Sequence, residues 1–278
     1  MNAATGGHRT VAGVTYAFDA DTSVEPSDDG RWLATVRPGW SIAGAPNGGY
    51  LVCTILSAMR AAVPDHPDPL AVTAHFPGRA EPGAADIDTA LVRTGRRHAT
   101  VTGTLSQSGT PRVAVACTYG DLSKAEGPSH VRESRPAFPS PEDCVPASGP
   151  GAPGFVQDFV SRFDLRLTPD TARWATTRPS GVAEMCGWIR FADGREPDPR
   201  CLVLFADAFP PSTFNLMESS WVPTLELTVH VRRRPAQGWV QGRFQTRYLI
   251  NGYLEEDGEL WDANGDLVAL SRQLARIR

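Results

Sequence analysis

Two stretches of this chain are apolar around nearly the whole circumference of a helix, and a helix of that kind must be enclosed on every side. The first, YLVCTILSAMRAAV at residues 50–63, follows Pro46-Asn47-Gly48-Gly49 and runs into Pro64. Asn47 is the expected N-cap, since its side-chain oxygen can accept from a free amide of the first turn. The second, CLVLFADAF at residues 201–209, follows Asp198-Pro199 and is stopped by Pro210-Pro211. Asp198 is its expected cap and Pro199 its first position. Neither stretch approaches the 18 apolar residues that a membrane span needs. Each therefore asks for a protein shell of its own, and 278 residues are enough for two.

The segments downstream of the two helices repeat one another. Leu70-Ala-Val-Thr-Ala-His-Phe and Leu225-Glu-Leu-Thr-Val-His-Val align at an offset of 155 residues. Leu70/Leu225, Thr73/Thr228, His75/His230, Arg79/Arg234 and Gly83/Gly238 are identical pairs at that offset. Each block leads into a long strand pair with a turn signal, Ser108-Gly109 in one half and Asn264-Gly265 in the other. The repeat is a helix and then antiparallel strands, used twice, with the two histidines as sheet residues. Between the copies lies a stretch with seven prolines, at 128, 136, 139, 141, 146, 150 and 153. Such a segment cannot build a core. The expected organisation is 1–123, a proline-rich linker at 124–154 that is mobile or crosses the surface, and 155–278. The linker contains a formal GxGxxG at Gly149–Gly154, but with no strand before it and prolines inside, it is no dinucleotide loop.

Charge and composition exclude several function classes. The net charge of −4 gives no basic field for nucleic acid. Five cysteines, none in a CxxC, argue against a disulfide framework. Six histidines without HxxxH or HExxH spacing give no zinc site. The first residues, MNAATGGHRTVAG, lack the basic and apolar regions of a signal peptide. These features predict a cytoplasmic protein with no membrane partner. There is no GxSxG nucleophile elbow and no phosphate-cradling GxxxxGK[ST].

A buried helix embraced by an antiparallel sheet is the hotdog arrangement, so two copies predict an α+β double hotdog. PNGGYL (46–51), LVRTGRR…LSQSG (91–109), GWIRFADGREPDPR (187–200) and GDLVALSRQ (265–273), in this order, resemble the acyl-CoA thioesterase II type and its thioesterase-like actinobacterial relatives. The resemblance implies an acyl-CoA substrate, hydrolysis without metal or redox cofactor, and a catalytic trio. That trio is an Asp on the second helix, a Ser or Thr opening the next strand and a Gln on the last strand. Asp207, Thr224 and Gln273 stand at those places.

The residues themselves support part of this. Asp207 is the only acidic or basic side chain in its apolar stretch, and burial would raise its pKa unless donors surround it. Thr224 opens a strand in which Leu225, Leu227, Val229 and Val231 alternate with Glu226, Thr228, His230 and Arg232; the period of two puts Thr224 on the polar face. A carboxylate can take a proton from a water that a hydroxyl and an amide hold against a thioester carbonyl. After Thr224 the chain departs from the family: Leu227 stands where a His is common, and Val229 and His230 replace bulkier residues, which bears on the acyl preference. At the repeat offset, Val52 matches Asp207 and Pro69 matches Thr224, so one centre per chain is expected. Asn47, Gly48, Gly49 and Arg232, Arg233, Arg234 are candidate substrate contacts, the arginines for the CoA phosphates. Two hotdogs with open sheet edges predict a homodimer or higher homo-oligomer. A non-catalytic acyl-CoA or lipid-binding protein on the same fold is the competing reading.

Overall fold

The computed structural model describes residues 15–147, 157–176, 178–217 and 221–277. Residues 148–156, which hold the glycine pattern and the end of the linker, lie outside them. The architecture is α+β. One antiparallel sheet of fourteen strands curves around two helices, α1 (Gly48–Ala61) and α2 (Cys201–Phe205). The strands in chain order are β1 (Glu25–Pro26), β2 (Trp32–Val36), β3 (Asp68–His75), β4 (Gly83–Thr94), β5 (Ala99–Gln107), β6 (Thr110–Gly120), β7 (Val145–Pro146), β8 (Phe163–Leu167), β9 (Glu184–Phe191), β10 (Thr224–Val231), β11 (Val240–Gln245), β12 (Leu249–Ile250), β13 (Tyr253–Trp261) and β14 (Leu267–Arg276). They lie in the order β1-β2-β4-β5-β6-β3-β10-β14-β13-β11-β9-β8-β7, with β12 beside β13.

The internal repeat becomes a local two-fold axis. β3 and β10 are the repeated blocks, and they pair antiparallel with Thr73 opposite Thr228. Those two residues are equivalent in the repeat, and their hydroxyls are hydrogen-bonded at 3.0 Å. Val72 faces Val229 and Ala71 faces His230 on either side. His75 and His230 are exposed on the outer face of the sheet, as are Leu270 and Leu274 of β14. The Ser108-Gly109 turn matches its signal, with φ of 50° and 73°, the left-handed pair that a two-residue hairpin needs, whereas in the Asn264-Gly265 turn only Gly265, at 84°, is left-handed.

α1 is buried from Gly49 to Met59 apart from Ser57, and packs on α2, β4, β5 and β6. Asn47 caps it, Oδ1 accepting from Tyr50 N at 2.9 Å. α2 is much shorter than the 201–209 stretch suggested. It starts at Cys201 and not at Pro199, so Arg200 and not Asp198 holds the cap position, and Asp198 accepts from Cys201 N at 2.8 Å from the turn before the helix. After Phe205 the bonding tightens to three-residue steps, Asp207 N to Leu204 O and Ala208 N to Phe205 O. Pro210 and Pro211 are the reason: each bars helical geometry from the residue before it and removes a donor. The apolar run therefore ends in a turn that carries Asp207.

The described part of the linker lies along the second half. Phe138 packs edge-on to Trp188, whose indole donates to Pro139 O at 2.9 Å, and Gln241 donates to Pro136 O at 2.7 Å. β7, within the proline-rich stretch, pairs with β8 and forms that end of the sheet.

Candidate active site

Asp207 meets the N-terminus of α1. Its Oδ2 accepts from Gly49 N at 2.8 Å and from Asn47 Nδ2 at 2.9 Å, and Asn47 Nδ2 also reaches Asp207 O at 2.8 Å. Asn47 thus does two jobs with its two ends, capping α1 and holding Asp207. The contacts of Asn47, Gly48 and Gly49, expected at the substrate, run to this carboxylate. The fit needs glycine. A Cβ on Gly49 would stand 3.0 Å from both Asp207 Cβ and Leu204 Cα, and one on Gly48 would meet Phe76 at 2.9 Å. Burial pushes the Asp207 carboxyl up to about 6, opposed by the Gly49, Asn47 and Gly48 donors. A group poised there is mostly ionised at pH 7 and still basic enough to take a proton. The Gly49 and Asn47 bonds both go to Oδ2.

Thr224 and Gln273 form the second part. Thr224 does not lie on the polar face of its strand. The pairing of β10 with β14 shifts by one residue between Thr224 and Glu226, placing Thr224 opposite Ala275 and Leu227 opposite Gln273. Ala275 is fully buried and shares the inner face with Gln273, so the bulge turns Thr224 inward. Its hydroxyl donates to Gln273 Oε1 at 3.1 Å.

Glu256 joins the two parts. It lies opposite Gln273 on β13 and is 5% exposed. Its Oε1 accepts from Gln273 Nε2 at 3.1 Å and its Oε2 from Ser212 N at 2.6 Å. Ser212 lies five residues beyond Asp207, and its hydroxyl donates to Thr246 Oγ1 at 2.9 Å. Burial and the charge of Asp207 raise the Glu256 carboxyl, so the two carboxylates feel one another. Glu256 was missed among the acids of YLEEDGEL, yet the sequence holds a signal. With a period of two, Leu254, Glu256, Gly258 and Leu260 share one face, and both leucines belong inside.

Arg232, Arg233 and Arg234 stand at the other end of β10, about 25 Å of strand from Thr224. They line an open cavity of about 420 Å³ with Asp262, Asn264 and Asp266. Arg234 is paired with Asp68 and Asp121, and Arg233 with Asp266. No group of His, Cys, Asp and Glu among the described residues has the geometry to hold a metal. No described helix is long and apolar enough to cross a membrane.

Residues 36–120 match the acyl-CoA thioesterase N-terminal domain and residues 141–277 the acyl-CoA thioesterase C-terminal domain. A solved protein from Thermobifida fusca, described as a thioesterase II, is 33% identical with a TM-score of 0.85, over 95% of this chain and 98% of its own. A hotdog-fold protein of unknown function from Alicyclobacillus acidocaldarius is 25% identical with a TM-score of 0.84, over 95% and 99%. An uncharacterised protein of Mycobacterium tuberculosis is 28% identical over 86% of this chain and 88% of its own length. A hotdog of the α+β class, matched through both halves, the chain belongs to the acyl-CoA thioesterase family.

Proposed function

We propose that the chain is a double hotdog that hydrolyses a fatty acyl-CoA to free acid and CoA, with one centre per chain. Asp207 Oδ1 takes a proton from a water as that water attacks the thioester carbonyl; the C–S bond then breaks, and the proton passes from Asp207 to the departing CoA thiolate. The Thr224 hydroxyl donates its hydrogen bond to Gln273 Oε1, which leaves its oxygen to accept from the same water, and the second Nε2–H of Gln273 remains free to donate. No covalent nucleophile, metal or redox cofactor takes part. The observation that carries this reading is the Asp207 carboxylate, raised to about 6 and held through one oxygen at the N-terminus of α1. The halves at 1–123 and 155–278 have different roles, the first as scaffold and the second as catalytic half.

The protein works in the cytoplasm as a homodimer or higher homo-oligomer. Leu270 and Leu274, 37% and 41% exposed on the outer sheet face, support a second copy packed there. Light scattering at tens of micromolar (roughly the range in which a standard interface holds) should show more than a monomer. The test of function is thiol release across short-, medium- and long-chain acyl-CoAs. Turnover that is lost in Asp207→Asn supports the reading. Binding of acyl-CoA without thiol release would make the chain a non-catalytic carrier.

A further inference from the structure

We infer that Glu256 is a positioning residue that sets which end of the Gln273 amide faces Thr224, and so which side of the Thr224 hydroxyl is left for the water. A Gln side chain has two ends of nearly the same shape, one donating and one accepting. A hydroxyl can pair with either. Thr224 and Gln273 alone thus have two arrangements, Thr224 O–H to Oε1 or Nε2–H to Thr224 Oγ1. In the second, the threonine proton points outward and occupies the lone pair the water needs for attack.

An ionised carboxylate removes the choice because it can only accept. Glu256 Oε1 takes the Nε2 end of Gln273, which turns Oε1 of Gln273 to Thr224 and makes the hydroxyl donate. The other oxygen of Glu256 is committed to Ser212 N, a main-chain group that can only donate. Each oxygen of Glu256 accepts from one donor, an arrangement that the ionised carboxylate satisfies on both sides. A 5% exposed carboxylate is costly to bury unless it is paired in this way. Ser212 adds a second consequence. It follows Asp207 by five residues, so Glu256 also ties the loop that carries Asp207 to the strands that carry Thr224 and Gln273.

The effect on catalysis rests on the hydrolytic reading; the effect on the amide does not. The test therefore reads both in the full-length protein. With ¹⁵N-labelled glutamine, the Gln273 side-chain NH₂ pair is assigned by its disappearance in Gln273→Ala. In the wild type one proton of the pair should exchange slowly, held by Glu256. In Glu256→Gln a single acceptor oxygen faces two donors, so that proton should exchange like those of a free amide. With acyl-CoA, kcat should fall about ten- to a hundredfold in this variant while KM stays within about twofold. A Gln273 pair that already exchanges freely in the wild type would overturn the inference, whether or not the variant folds. So would a pair unchanged by Glu256→Gln, or a freed amide with wild-type kcat. A wild type that releases no thiol from any acyl-CoA sinks the hydrolytic reading instead, and the slow proton still reports on Glu256.

Discussion

The two halves start from the same plan and end differently at one place. In the first, α1 runs fourteen residues and is buried through Met59 apart from Ser57; in the second, α2 stops after five. Val52, the repeat equivalent of Asp207, is fully buried inside α1. The second copy breaks its helix at that point with Pro210-Pro211 downstream, and the turn so made presents a carboxylate. The first copy supplies the other requirement, a helix N-terminus close enough to hold the charge, because Gly48 and Gly49 leave no side chain in the way. A single repeat offers either an intact helix start or a broken helix end. The Asp207 carboxylate and its donors need one of each, which is why they meet between the halves.

Exchanging the chemistry at the two equivalent positions should give the largest contrast. Asp207→Asn keeps the shape and removes the base, so kcat should fall by about 10²–10⁴ with KM little changed. Val52→Ala should leave kcat alone and cost about 2 kcal/mol in chemical denaturation, from a cavity of one side chain. Wild-type kcat in Asp207→Asn would break the assignment. Asp207→Asn should also make the protein more stable at high pH. The native carboxyl, at about 6, binds its proton more tightly than the unfolded one at 3.8, so stability drops as pH rises between these values. Removing the charge should return on the order of 1–2 kcal/mol at pH 8 and little at pH 4, read as urea midpoints at the two pH values.

Closing the gap between the halves is the next way to disturb them. In Gly49→Ala the new Cβ presses on Leu204 Cα and Asp207 Cβ, and backbone cannot swing aside as a long side chain can. A cost of about 1–3 kcal/mol in melting or urea midpoints is expected, with a fall in kcat because Asp207 is displaced. Asn47→Asp is gentler and more specific. Aspartate still caps α1, but it puts a second carboxylate against Asp207 in place of a donor. The acid limb of kcat/KM, expected near pH 6 in the wild type, should move up by at least about one pH unit, with much of the rate recovered at pH 9. A limb that stays near pH 6 would mean Asp207 is not the titrating base.

How much of this the sequence reveals depends on how local the cause is. The apolar circumference from Tyr50 to Met59, the Asn47 cap and the Ser108-Gly109 turn are written in neighbouring residues, and the structure bears them out, while Ala61 and Ala62 at the end of the stretch are exposed. The offset of 155 is local twice over, and it carries further than expected by forming the Thr73–Thr228 axis. Thr224 fails for the opposite reason. Its face is set by a bulge whose evidence lies on β14, fifty residues away, and strict alternation along β10 cannot register it. The length of α2 was legible in Pro210-Pro211, but only by counting the turn that the prolines unwind before them. Asn47 and Asp207 were each singled out alone. That they meet follows from packing α1 on α2, which no spacing in one chain displays.

The smallest expected effect concerns the axis itself. Thr73 and Thr228 share one hydrogen bond where the halves join, on a half-buried part of the outer face. Thr228 also donates to Glu226, so in the pair it is Thr73 that donates. Thr73→Val keeps the β-branched shape and removes only that donor. Thr228 then loses an accepted bond that water can replace, and a net cost of about 0.5–1 kcal/mol is expected in urea denaturation, with kcat unchanged. Thr228→Val should cost more, because it leaves the Glu226 carboxylate without its hydroxyl as well. If both halves contribute equally to the seam, the two single variants would instead match. Their inequality would show that the divergence seen at Val52 and Asp207 reaches the axis too, although the two threonines are identical there.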